Sequence, residues 1–233
     1  MSTKPAIVMV HGFWGGAAHW GKAITELHAR GYNDLHAVEL TFSSLADDAD
    51  RVRRQVARID GPVLLMGHSY GGAVITEAGD VPNVVGLVYI AAFAPDSGES
   101  PGQIAGGFAP AAGFGNIAPD AEGNLWIAQD KYHESFAQDL PEDEAYVMAV
   151  TQKAPPASTF GDAVKQAAWH SVPSWYQVST DDRMINPDAQ RHMASRMGTR
   201  RTIELNTGHA SLASRPGDIA DLIDTAVAEL DLR

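Results

Sequence analysis

Val63-Leu64-Leu65-Met66 is an apolar run without alternation, and it leads straight into Gly67-His68-Ser69-Tyr70-Gly71-Gly72 and then Ala73-Val74-Ile75. A strand with no polar side is buried on both faces, as happens in parallel sheets covered by helices. The glycine cluster that follows has the spacing G-x-S-x-G, a sharp passage from strand to helix. So tight a turn forces the serine into a strained backbone conformation, and the positions two residues away must lack side chains. Strain of this kind lifts the hydroxyl clear of the sheet, and the N–H groups opening the next helix face the place where an oxyanion would form. Ser69 therefore reads as a nucleophile, and His68 inside the motif as a structural residue.

The rest of the chain agrees with a parallel sheet. Short β-branched runs alternate with helical stretches. Strands are expected at Ala6–Val10, Leu35–Leu40, Val63–Gly67, Val84–Ala91, Ser174–Ser179 and Thr202–Leu205. Helices fit Trp20–Arg30, Leu45–Arg58, Gly71–Ala78, Pro187–Met197 and Pro216–Leu230. The last places Ile219, Leu222, Ile223, Ala226 and Leu230 at helical spacing behind a Pro-Gly start. Between the fourth and fifth strands lie roughly 80 residues, far more than a crossover needs. Pro95 to Asn124 is rich in Gly, Ala and Pro, and Leu125 to Ala168 reads as short helices with a Pro155-Pro156 break. This predicts an α/β core made of residues 1–94 and 172–233, with a helical cap insertion at 95–171 over the strand ends.

Composition narrows the function. At 233 residues the chain amounts to about one large domain. It contains no cysteine, which excludes disulfides, thiolate metal sites and cysteine nucleophiles, and which suits a reducing cytoplasm. Met1-Ser2-Thr3-Lys4-Pro5 runs directly into the first strand with no signal-peptide core before it. The longest apolar stretch, Val84 to Ala94, is too short to span a bilayer. The net charge is −12 with no Lys/Arg cluster, which argues against nucleic acid as a partner. Arg51, Arg53, Arg54 and Arg58 lie among Asp47, Asp48, Asp50 and Asp60, and the whole run reads as a solvated helix face. Monomer and homodimer are equally compatible with these features.

A nucleophilic serine needs a base, an acid and two oxyanion donors. Of nine histidines, only His192 and His209 follow the acid loop in the chain order Ser, Asp, His. His209 follows a strand through Asn206-Thr207-Gly208, on a loop at the sheet edge where ligand chemistry gathers. His192 falls mid-helix, so His209 is the expected base. The loop Ser179-Thr180-Asp181-Asp182-Arg183-Met184-Ile185-Asn186-Pro187 supplies the acid. Asp182 is favoured because Asp181 reads equally well as a turn residue, and Asp96 is a more distant alternative. Val10-His11-Gly12-Phe13-Trp14-Gly15-Gly16 follows the first strand, so the backbone N–H groups of Phe13 and Tyr70 are the expected oxyanion hole. Trp14, Tyr70, Trp126, Met148 and Trp169 are candidates for an apolar substrate pocket, with core packing as the competing role.

With those motifs in place, the chain resembles the small α/β-hydrolases that include bacterial carboxylesterases, plant methyl esterases and (S)-type hydroxynitrile lyases. The likeness rests on Val10 to Trp14 with Trp20, on Gly67 to Gly72, on Ser179 through Pro187, and on Gly208-His209. On the family's acid-loop pattern, Ser179 replaces a glycine and Asp182 becomes the acid; its oxyanion donors fall on Phe13 and Tyr70. The lyases carry a lysine beside the histidine, where this chain has Ala210, Ser211 and Leu212. The resemblance implies a cofactor-free, metal-free carboxylesterase acting on small to medium esters through Ser69, His209 and Asp182. A lyase or cofactor-free oxygenase on the same scaffold, or a non-catalytic small-ligand receptor, are the rival readings. Labelling of Ser69 by a fluorophosphonate separates the esterase from the first pair.

Overall fold

The computed structural model describes residues 4–230. Met1 to Thr3, read as leading into the first strand, and the chain's last three residues lie outside them. Eight strands and nine α-helices follow in chain order: β1 (Ala6–Val10), α1 (Gly21–Ala29), β2 (Leu35–Val38), α2 (Leu45–Val56), β3 (Val63–His68), α3 (Tyr70–Ala78), β4 (Val84–Ile90), α4 (Pro101–Gly106), β5 (Ile117–Pro119), β6 (Leu125–Ile127), α5 (Tyr132–Phe136), α6 (Glu142–Val150), β7 (Ser174–Ser179), α7 (Pro187–Met197), β8 (Arg201–Leu205), α8 (Ser211–Ser214) and α9 (Pro216–Glu229). Six of the strands form one sheet in the order β2-β1-β3-β4-β7-β8, and every pairing in it is parallel.

Successive side chains of a strand point to opposite faces, so each strand feeds two cores. Ile7, Met9, Leu64, Met66, Val88 and Ile90 pack with α1 and α9 on one face. Val8, Val10, Leu65, Leu87 and Tyr89 pack with α2, α3 and α7 on the other. This two-sided burial explains why β1 and β3 read as unbroken apolar runs. The parallel pairing carries all the strands' C-terminal ends to one rim, where the strand-to-helix loops gather. No helix among the described residues is long and apolar enough to cross a membrane.

Several boundaries shift. Trp20 closes a short 3-10 turn, Ala17–Trp20, and α1 begins at Gly21. Strand β2 stops at Val38 rather than Leu40, and α2 stops at Val56 rather than Arg58. The stretch from β4 to β7 departs more. Leu125–Ile127, expected as helix, pairs antiparallel with Ile117–Pro119. The hairpin is set by Asp120, whose Oδ1 accepts the N–H groups of Glu122 and Asn124 at 2.9 Å, with Gly123 at φ 85°. That is turn chemistry in which an aspartate caps its own loop. In the Gly/Ala/Pro-rich part, α4 is closed by a capping box between Ser100 and Gln103, the S-x-x-Q signature of a helix start.

Candidate active site

Ser69 lies between β3 and α3 with φ 55° and ψ −125°, a region that costs a non-glycine residue of order 1–3 kcal/mol. Neighbouring hydrogen bonds hold it there. Its N–H donates to the Ile90 carbonyl at 3.3 Å, and its own carbonyl accepts from Gly72 and Phe93 at 3.0 Å each. A Cβ on Gly67 would lie 2.5 Å from the Gly71 carbonyl oxygen, so the turn closes only because that carbon is missing. The serine side chain packs against the β1 loop: a Cβ on Gly12 would be 2.5 Å from Ser69 Cβ and 3.0 Å from Oγ. Ser69 is only 4% exposed.

His209 reaches the same rim on the loop after β8. Its Nδ1 is 2.8 Å from Asp182 Oδ2, and both side chains are fully buried. A carboxylate oxygen accepts, so Nδ1 carries the proton and Nε2 is left with a bare lone pair. That Nε2 is buried and has no hydrogen-bond partner among the described residues, the Ser69 hydroxyl included. Asp182 is held in turn by the Met184 and Ile185 N–H groups on Oδ1, at 2.7 and 2.9 Å, and by Gln190 Nε2 on Oδ2 at 2.7 Å. Asp181, by contrast, is 59% exposed beside Arg183, and Asp96 bonds His170. His192 packs beside Phe108. Of the three acids considered, Asp182 alone bonds His209.

The His209 loop is gripped by further contacts. His68 Nε2 donates to the His209 carbonyl at 2.9 Å, and burial pushes the His68 pKa well below the ordinary histidine value. The Phe136 ring meets His209 edge-on at 4.8 Å. Asp139 Oδ2 accepts from Gly208 N at 3.0 Å and from the Ser214 hydroxyl at 2.6 Å.

On the opposite side of Ser69, the N–H groups of Phe13 and Tyr70 have no acceptor among the described residues. The Phe13 and Tyr70 rings stack at 4.0 Å and 13°, and Phe42 closes the group edge-on. His11 pins the loop: its Nε2 accepts from Leu40 N at 3.0 Å, so Nδ1 bears the proton and donates to the Gly12 carbonyl at 2.9 Å. Asp48 corrects the solvated-face reading of its helix. It is fully buried, and it accepts from Thr41 N, Phe42 N and the Tyr70 hydroxyl. Burial and Asp48 together push the Tyr70 phenol up.

The structure separates the remaining pocket candidates. A cavity of about 460 Å³ opens between Phe93, Phe108, Phe114, Phe160, Met184 and Ile185, and Trp14, Trp126, Met148 and Trp169 do not line it. Trp126 is 41% exposed and donates to Asp120. Trp169 donates to the Pro95 carbonyl and lies against His170, while Met148 lines a separate cavity with His19. Trp14 is buried and donates to the Leu125 carbonyl. In each of these three tryptophans the indole N–H has found a partner away from the cavity. Gln190 and Asp48 were missed, although both are polar residues inside apolar helical stripes: Gln190 with Met193, Ala194 and Met197, and Asp48 with Leu45, Val52 and Val56. A polar residue at such a position is a signal for a buried hydrogen-bond task.

Known proteins give the same architecture. The sequence pattern of the Alpha/beta hydrolase family fits residues 7–222. The pyrethroid hydrolase of Sphingobium wenxiniae is 29% identical, over 99% of this chain and 91% of its own. Methylesterase 8 of Arabidopsis thaliana is 26% identical, over 94% of this chain and 88% of its own. The crystal structure of polyneuridine aldehyde esterase superposes with a TM-score of 0.84 at 18% identity, covering 96% of this chain and 99% of that one, which speaks to the fold alone.

Proposed function

Because this chain belongs to the Alpha/beta hydrolase family, we propose that it is a serine esterase whose nucleophile, base and acid are Ser69, His209 and Asp182. The observation that carries the reading is the buried His209–Asp182 bond of 2.8 Å, which leaves a bare, unpartnered Nε2 at the rim where Ser69 is held in strain. An imidazole fixed in that tautomer has one task open to it, the uptake of a proton. The serine hydroxyl turns from Gly12 toward Nε2, gives up its proton and attacks an ester carbonyl. The Phe13 and Tyr70 N–H groups receive the oxyanion, with each such donor worth roughly 3–4 kcal/mol in the transition state. His209 then protonates the leaving alcohol, and water resolves the acyl-enzyme. Asp182, held by four hydrogen bonds, keeps the imidazole oriented through these steps.

The substrate class is a small to medium carboxylic ester with an uncharged, apolar part. In support, the cavity beside the site is walled by phenyl rings and aliphatic side chains, and two relatives are named for pyrethroid hydrolysis and for methyl-ester hydrolysis. Residues 95–171 act as a cap. Its Lys153 carbonyl accepts from Trp14 N, and its Tyr132 hydroxyl donates to the Trp14 carbonyl, so it closes over the oxyanion loop.

The test is turnover of p-nitrophenyl acetate by Ser69→Ala, expected to lower kcat about 10³-fold or more. Wild-type turnover by that variant would overturn the proposal.

A further inference from the structure

The cavity and the nucleophile are neighbours that do not touch. Ser69 is 4% exposed and takes no part in the lining of the 460 Å³ space, a volume in the range of small-molecule sites. Two phenyl rings stand in the intervening wall, 5.8 Å apart and edge to face. Phe93 is the more enclosed half: it is 4% exposed, and its backbone N–H donates to the Ser69 carbonyl at 3.0 Å, which ties its main chain to the strained turn. Phe160 is the other half. It lines the cavity, and its ring also lies 6.3 Å from Phe13 on the oxyanion loop and 6.1 Å from Phe114 on the far wall.

Phe160 is carried by a short 3-10 turn, Ala157–Gly161, inserted between β6 and β7. That turn is tied down on either side of the ring rather than through it. Thr159 donates to the Phe42 carbonyl at 2.7 Å, and Asp162 accepts from Leu45 N at 2.9 Å. The ring makes no hydrogen bond; it packs against other aromatic rings and against Gly102, whose absent Cβ would meet it at 3.3 Å. Contacts of this kind are non-directional, so a rotamer change breaks no hydrogen bond. The cavity behind it offers nothing to a charged group. Asn186 is its polar side chain, and both ends of that amide are already used, Nδ2 on the Ala109 carbonyl and Oδ1 on Asp188 N.

From this juxtaposition we infer that Phe160 determines substrate specificity, as the movable ring between Ser69 and an apolar cavity that receives the longer part of the ester. This rests on the esterase reading. Short esters reach Ser69 without displacing that ring, and long or aryl ones require Phe160 to swing aside so that their apolar end enters the cavity.

The experiment compares kcat/KM for p-nitrophenyl acetate and p-nitrophenyl octanoate in the wild type, Phe160→Ala, Phe160→Trp and Phe114→Ala, each checked for an unchanged thermal melt. Phe160→Leu replaces Phe160→Ala, and Phe114→Leu replaces Phe114→Ala, where the alanine variant fails that check. Phe160→Ala is expected to raise the octanoate-to-acetate ratio about tenfold and Phe160→Trp to lower it, the scale at which a pocket discriminates methylenes. Phe114→Ala enlarges the same cavity without touching Phe13 and should change the ratio by less than about threefold. Equal shifts in Phe114→Ala and Phe160→Ala would mean that volume alone sets the preference, and would overturn the gate. An unchanged ratio in Phe160→Ala, with both esters still turned over, would do so too, and would leave the esterase reading standing. Hydrolysis of neither ester by the wild type would remove both.

Discussion

The side of Ser69 that bears Asp182 and His209 is held mainly by one buried carboxylate network, whereas the side that bears Phe13 and Tyr70 adds stacked rings to the hydrogen bonds of His11 and Asp48. On the first side, one carboxylate collects four donors, and Gln190, itself fully buried, spans Asp182, the Ile185 carbonyl and the Ser179 N–H. On the second, Phe13, Tyr70 and Phe42 meet at ring distances of 4.0 to 5.9 Å. The difference follows from what each side presents. An imidazole must be fixed in one tautomer, which only a directional bond can do. The proposed oxyanion donors are backbone N–H groups, and their backbone is placed by ring packing together with the His11 and Asp48 bonds.

The two sides should therefore break differently. Asp182→Asn leaves the volume intact but removes the acceptor that selects the Nδ1–H tautomer, and kcat on p-nitrophenyl acetate should fall about 10⁴-fold with a small change in melting temperature. A loss of less than about tenfold would mean that the directional bond is not what readies His209. Phe13→Leu is the matching change on the ring side. It keeps the N–H and a comparable apolar volume but loses the stack on Tyr70, so chemical denaturation should show a stability loss of about 1–2 kcal/mol. Its kcat should stay within about tenfold of wild type, because the donor is backbone. A larger loss of rate than of stability would show that the ring itself positions the donor.

Acid should produce the smallest effect, and on both sides at once. His68 beneath the base loop and His11 beneath the oxyanion loop are both lowered by burial, and His19 is lowered to about 4. In the unfolded chain these groups titrate near the ordinary value of about 6.5. Above that pH neither state binds the protons and the full stability is present. Below it the unfolded chain takes up protons that the folded one refuses, so stability falls, for His19 down to about pH 4. The urea midpoint should drop between pH 7.5 and pH 5, and less steeply in His68→Asn. A flat midpoint over that interval in the wild type would contradict the buried, neutral histidines.

The elements nearest the proposed active site were the most legible. β3, the Ser69 turn and α3 form one contiguous stretch in which every signal is local: an apolar run, glycines at fixed offsets, a helix start. Chain order picked out His209 without any contact information, because the loop after the last strand must end at the rim. Asp182 was legible only as a preference over Asp181, since two adjacent aspartates differ in sequence by nothing except the direction the backbone gives them. The segment between β4 and β7 was read least well. A three-residue strand such as Leu125–Ile127 has no periodicity to detect and exists because Ile117–Pro119 lies beside it.

By itself, the order of apolar runs, glycines and polar loop residues determined a parallel sheet covered on both faces, with Ser69 and His209 at its rim, because burial and turn geometry act over a few residues at a time. Tertiary structure alone decided the rest. It turned Asp182 inward and left Asp181 to solvent, buried Asp48 and Gln190 as hydrogen-bond hubs, and carried Trp126 and Trp169 away from the cavity that Phe93, Phe114 and Phe160 enclose. Those outcomes depend on which distant groups come within hydrogen-bonding or packing distance, and that is a property of the assembled fold.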